Sequence, residues 1–140
     1  MIVVDANVIA YAVIPGAKTT LALAAIERDA DWVAPALWRS EFRNILATSV
    51  RTKRLVLRQA LAAWEQARGL VAETTLDVDC EQVLRLSAQS GASACDCEYV
   101  ALARTLAIRL VTADAPLARR FPEVAIDLGR FVGEAGGRVD

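Results

Sequence analysis

Ile2-Val3-Val4-Asp5-Ala6-Asn7 is the stretch that decides how the rest of the chain is read. Three consecutive β-branched residues without polar alternation fit a strand buried on both faces, as in the centre of a parallel sheet. Asp5 closes the run, so the strand delivers a carboxylate at its carboxyl end, and a helical pattern begins near Ala6 or after Pro15-Gly16. Leu110-Val111-Thr112 repeats the arrangement and delivers Asp114. In open α/β sheets ligands bind beyond the carboxyl ends of the strands, so both aspartates are expected at one functional edge.

The intervening sequence alternates between helical and strand patterns. Helices are predicted over Thr19 to Arg28, Pro35 to Val50 with the proline in the first turn, and Leu57 to Leu70 ending near Gly69. Further helices are predicted over Glu81 to Gln89, stopping at Ser90-Gly91, over Ala94 to Ala107, and through Leu117 to Arg120. Short strands are expected at Trp32-Val33, Thr75 to Val78 and Val124 to Ile126. The alternation predicts the α/β class, a three-layer α/β/α sandwich with a mostly parallel sheet. Residues 1–132 are expected to form a single domain, and the Gly-rich stretch 133–140 a flexible C-terminal tail.

Two further acids lie on helical patterns. Leu37, Trp38 and Ile45 surround Glu41 at three- and four-residue offsets while Arg39 and Arg43 lie nearly opposite, so Glu41 is expected to face inward and to need a partner. Asp96 shares a stripe with Val100, Ala103 and Ala107, which sets it against the core. Each acid has an ordinary structural explanation. Asp5 and Asp114 suit helix caps, Ser93-x-x-Asp96 suits a capping box, and Glu41 suits an ion pair. Caps would be scattered over the domain, however, whereas these positions map to one edge of one sheet. Converging carboxylates repel one another and resist desolvation, so the set points to a hard cation, Mg²⁺ or Mn²⁺, and to metal-assisted chemistry on phosphate.

Composition narrows the chemistry further. The chain has no histidine, which excludes Ser-His-Asp and Cys-His nucleophilic systems and the His-rich zinc hydrolases. Its three cysteines, Cys80, Cys95 and Cys97, match no zinc-ligand spacing and read as reduced thiols. Hydrophobic residues make up 55% and mean hydropathy is +0.33, yet no apolar run reaches the roughly 18 residues of a membrane span. The amino-terminal residues carry no secretory pattern, so a cytoplasmic location and no membrane partner are expected. The formal net charge is −1, so contact with a polyanion must rely on a local patch. Arg39, Arg43, Arg51, Lys53 and Arg54 form the nearest candidate for RNA contact.

The local wording of the sequence carries a resemblance. Asp5-Ala6-Asn7, the mid-chain Glu41, the run Asp96-Cys97-Glu98-Tyr99-Val100-Ala101-Leu102-Ala103 and Leu110-Val111-Thr112-Ala113-Asp114 together resemble the PIN-domain nucleases. More narrowly, they look like the VapC-type toxins of toxin–antitoxin pairs, from Ile2 to about Phe131. The resemblance implies a Mg²⁺- or Mn²⁺-dependent endoribonuclease, an RNA substrate, a cognate antitoxin and a homodimer. It carries the catalytic acids onto Asp5, Glu41, Asp96 and Asp114, with Asp5, Asp96 and Asp114 as metal ligands and Asn7 and Thr112 as orienting residues. Two departures stand out: Ala6 replaces a frequent hydroxyl residue, and no further acid closely follows Asp114. A haloacid-dehalogenase-like phosphatase also starts with a strand and an aspartate, but it needs a second acid where this chain has Asn7, and a lysine that is missing near Asp114. A non-catalytic regulatory or binding protein on a degenerate PIN fold is the other alternative.

Overall fold

The computed structural model describes residues 1–72 and 77–135. In chain order its elements begin β1 (Ile2–Val4), α1 (Ala6–Val13), α2 (Thr19–Arg28), β2 (Trp32–Val33), α3 (Leu37–Arg51), α4 (Leu57–Leu70) and β3 (Val71–Ala72). They continue α5 (Cys80–Ser90), α6 (Ala94–Leu106), β4 (Leu110–Thr112), α7 (Ala115–Arg120), β5 (Ala125–Asp127) and α8 (Leu128–Ala135). The five strands form one all-parallel sheet in the order β3-β2-β1-β4-β5. Such a sheet must be covered on both faces, and the residues of β1 and β4 are accordingly buried throughout. Val3, Val4, Leu110 and Val111 have no exposed surface, each contributing ~1.5–3 kcal/mol of burial. α6 packs on β1 and β4 with α5 against it, while α1 packs on α2, α3 and α4.

The strand order locates the functional crevice. The chain builds outward from β1 to β2 and β3, then returns to the other side of β1 with β4 and β5. The reversal lies between β1 and β4, and the carboxyl ends of those two strands frame the switch-point crevice where α/β folds bind ligands. The register pairs Val3 with Leu110 and Val4 with Val111, which brings Asp5 level with Thr112.

Several boundaries differ from the sequence pattern. α3 begins at Leu37, because the carbonyls of Pro35 and Ala36 first accept Trp38 N and Arg39 N in a tighter turn. α6 stops at Leu106, and Ala107 takes a left-handed conformation at φ 54°. The third strand lies at Val71–Ala72, running on from α4 without a loop. The strand expected over Thr75 to Val78 falls in part outside the described residues. β5 is shifted by one residue to Ala125–Asp127. The expected tail is helical in its first part: α8 runs through Gly133 to Ala135, and the remainder lies outside the described residues. Asp127 Oδ2 accepts Gly129 N at 3.0 Å and Arg130 N at 3.4 Å to start this helix, whose Leu128 and Phe131 are buried. Among the described residues no helix is long and apolar enough to cross a membrane. All three cysteines are free thiols.

Candidate active site

Asp5 is the anchor of the crevice. It follows β1 directly and caps α1, its Oδ1 accepting Val8 N at 3.0 Å. Its Oδ2 accepts the Thr112 hydroxyl at 2.5 Å and Ala113 N at 3.1 Å. Thr112 Oγ1 in turn accepts Asp114 N at 3.0 Å, and Asp114 Oδ1 caps α7 by accepting Leu117 N at 3.1 Å. Both aspartates therefore cap helices, and both caps lie at the switch point, so the structural and the site readings describe the same atoms. Asp5 is only 8% exposed. Burial pushes its carboxyl above the ordinary 3.8; the bonds from Thr112, Val8 and Ala113 oppose the shift, and the charge of Glu41 adds to it.

Glu41 is half-buried at the rim of the crevice, short of the inward position expected from its helical neighbours. The core stripe of α3 is Trp38, Phe42 and Leu46, and Glu41 sits one residue off it. Its partner is a hydroxyl and not the cation of an ion pair: Tyr99 donates its phenolic proton to Glu41 Oε1 at 2.6 Å. Burial and that bond both raise the Tyr99 pKa, so the phenol keeps its proton and remains a donor. Glu98 is half-buried beside them, its carboxyl pushed up by burial and then by the charge of Glu41.

Asp96 is half-buried on α6, while its neighbours Cys97, Val100 and Ala101 take the core-facing positions. Ser93 caps this helix by accepting Asp96 N at 3.1 Å. Burial pushes the Asp96 carboxyl up and the charge of Asp114 adds to the push, whereas Ser93 and the Arg120 guanidinium oppose it. Asp5 thus feels Glu41, and Asp96 feels Asp114. Thr112, bonded to Asp5 and to the Asp114 backbone, joins the two pairs. The exposed Cys95 also lies within the field of both, its thiol raised by burial and by Glu41, Glu98 and Asp96.

Sequence reasoning missed Glu98, Tyr99 and Arg120 as members of the site. Glu98 and Tyr99 stand two and three residues after Asp96, within one helical turn, and that spacing was the available signal. Arg120 carried none, because only the packing of α7 brings it near Asp96. Asn7 is exposed and makes no hydrogen bond to the acids. The expected basic patch divides. Arg43 donates to Arg39 O at 3.1 Å and lies over the Trp64 ring at 5.7 Å; Arg51 donates to Thr48 Oγ1 at 3.2 Å. Both line an apolar groove between α3 and α4 with Leu57, Leu61 and Trp64. Lys53 is exposed just beyond α3 at φ 60°, Arg54 lines a separate cleft with Asn7, and Arg39 is half-exposed.

Among the described residues no three histidine, cysteine, aspartate or glutamate side chains form a group that could hold a metal ion. The arrangement fits an open oxygen site instead: two carboxylate pairs, each with a member destabilised as an anion by its partner's charge. A divalent cation relieves such repulsion, and Mg²⁺ needs few protein ligands because it keeps several waters.

Strand order and switch point define a parallel α/β domain that carries paired acids at its ligand-binding edge. The PIN domain model matches residues 2–123, and the chain belongs to the PIN-domain family. PIN domains are in general nucleases that require divalent metal ions. The fold is shared with the crystal structure of PAE2754 from Pyrobaculum aerophilum, at a TM-score of 0.75 and 20% identity over 98% of this chain and 97% of that one. No curated protein matches the chain.

Proposed function

We propose that the chain is a Mg²⁺- or Mn²⁺-dependent endoribonuclease serving as the toxin of a type II toxin–antitoxin pair of the VapC kind. The observation that carries the nuclease reading is the pair of mutually repelling carboxylate couples joined through Thr112 at the β1/β4 crevice of a PIN-family domain. Asp5, Asp96 and Asp114 would hold the ion. When bound, it lowers the pKa of a water nucleophile and neutralises charge on the scissile phosphate. Glu41, fixed by the Tyr99 hydroxyl, orients the attacking water and accepts its proton. Thr112 fixes the Asp5 carboxylate, and Arg120, exposed beside Asp96, meets a phosphate oxygen of the substrate.

The toxin reading needs an inhibitor. The α3–α4 groove of about 500 Å³, floored by Leu46, Val50, Leu57 and Leu61 and edged by Arg43 and Arg51, suits the apolar face of an antitoxin helix with acidic flanks. Leu57 and Leu61 are 63% and 58% exposed in the single chain, which favours a covered state. A homodimer and a cytoplasmic site of action complete the proposal.

The test is incubation of the purified protein with structured RNA and Mn²⁺, with and without EDTA. Cleavage confined to the Mn²⁺ sample is expected; RNA intact in both would mark a binding module. Light scattering checks the assembly, and a monomer would contradict the dimer.

A further inference from the structure

We infer that the cleft between α1, the start of α2 and the carboxyl-terminal half of α3 is a subsite for one unpaired nucleotide next to the scissile phosphate, with Tyr11 as its stacking platform. The inference rests on the ribonuclease reading above and adds to it the place where one base of the substrate is held. The cleft measures about 420 Å³ and is lined by Asn7, Tyr11, Ile14, Lys18, Ile45 and Arg54 among others. Its lining includes none of the four acids but shares two helices with them. Asn7 stands two residues after Asp5 on α1, and Ile45 stands one turn after Glu41 on α3, so both walls continue the helices that carry catalytic acids. From Asn7 to Tyr11 the wall advances about 6 Å along α1.

The lining has the two chemistries that a nucleotide requires. Ile14, Ile45 and the half-buried Tyr11 ring give an apolar, aromatic floor for a base. Lys18 and Arg54 are exposed cations, and neither has a carboxylate partner among the described residues. In a chain of net charge −1, two unpaired cations on one cleft beside an acidic site suit an entering phosphodiester. Lys18 Nζ lies 5.7 Å from the Tyr11 ring centroid. Exposed cation–π contacts are weak, so a base displaces the ammonium readily and leaves it for the adjoining phosphate. A paired base has its faces covered by its neighbours in the stack, so the occupant is an unstacked nucleotide of a loop or single strand.

The experiment is fluorescence anisotropy of a labelled single-stranded oligoribonucleotide in EDTA, over a range of salt, with wild type, Tyr11→Ala, Tyr11→Phe and the double variant Lys18→Ala, Arg54→Ala. Tyr11→Ala is expected to weaken binding roughly tenfold while Tyr11→Phe binds as wild type. The double variant should lower the slope of log Kd against log salt by about 1.4, the value for two single-strand phosphate contacts. The double variant alters only exposed side chains and so keeps the test valid if Tyr11→Ala is poorly folded. Wild-type affinity in Tyr11→Ala with an unchanged salt slope in the double variant overturns the subsite, as does a wild type that binds no better than these variants. Cleavage with Mn²⁺ separates the two readings. A Tyr11→Ala protein cutting with wild-type KM removes the subsite alone. A wild type that binds through Tyr11 yet cuts nothing removes the nuclease reading and leaves the subsite.

Discussion

On the β1 side of the crevice Asp5 is enclosed, its two oxygens accepting three hydrogen bonds, whereas on the α6 side Asp96 is half-exposed beside Asp114 and Arg120. Both carboxyls are pushed upward by burial, and both feel a second carboxylate. Enclosure fixes Asp5 through the sheet register itself, so its position is part of the fold. Asp96 is positioned through its helix and is only half-buried. One side of the crevice is enclosed and hydrogen-bonded, and the other is partly open to solvent.

Activity should treat the two sides alike while stability distinguishes them. Asp5→Asn and Asp96→Asn are each expected to lower RNA cleavage by at least ~10³-fold, since each removes a charge from the proposed ion site. Asp96→Asn should leave the metal-free Tm at or above the wild-type value, because it removes repulsion with Asp114 and retains the α6 cap from Ser93. Wild-type cleavage by either variant would remove that residue from the site.

The hydroxyls that hold the acids come next in size. Thr112→Val keeps the shape of the buried side chain but leaves Asp114 N without its acceptor and Asp5 Oδ2 with one donor fewer. A loss of ~1–3 kcal/mol in unfolding free energy, read by urea denaturation, is expected. Tyr99→Phe strips the donor from the half-buried Glu41. It should lower kcat about tenfold with little change in KM, as a positioning role requires.

The smallest effect is a pH dependence. A carboxyl whose folded pKa is raised binds more protons in the native state than in the unfolded one between the two values. Its stabilising contribution is full below the unfolded value and disappears as pH rises through the folded one. For Asp96 that window opens at the ordinary 3.8 and extends upward. The Tm of metal-free Asp96→Asn minus that of wild type should therefore grow as pH rises from 3.5 to 7, on the order of a degree or two. Saturating Mn²⁺ should reverse the sign, because it favours the charged form in the wild type alone. A difference that is flat with pH would place Asp96 in an ordinary solvated setting.

Much of this was legible from the β-branched runs and the residues that close them. Ile2 to Val4 and Leu110 to Thr112 announce buried parallel strands, and with them the edge that carries Asp5 and Asp114. The resemblance marked Thr112 as an orienting residue, and its hydroxyl does bond Asp5. What stayed hidden depends on tertiary packing. Arg120 comes within the field of Asp96 only once α7 docks, and Tyr99 meets Glu41 across 58 residues of chain. β3 was missed because a two-residue strand directly after a helix has no periodicity of its own. α8 was obscured by Gly129 and Gly133, poor helix formers, although the Asp127 cap and the spacing of Leu128, Phe131 and Val132 were present. The split of the basic residues between two clefts was equally beyond a linear reading, since it depends on which face of α3 meets α1 and which meets α4.

Direct Mn²⁺ binding by electron paramagnetic resonance tests the central claim, that the acids of the β1/β4 crevice together hold a divalent ion. Wild type should bind Mn²⁺ in competition with Mg²⁺ and gain ~2.7 kcal/mol of stability at a hundredfold excess over Kd. Asp5→Asn, Asp96→Asn and Asp114→Asn should each lose that binding while remaining folded. Mn²⁺ binding unchanged in all three variants, or absent from the folded wild type, would contradict the account.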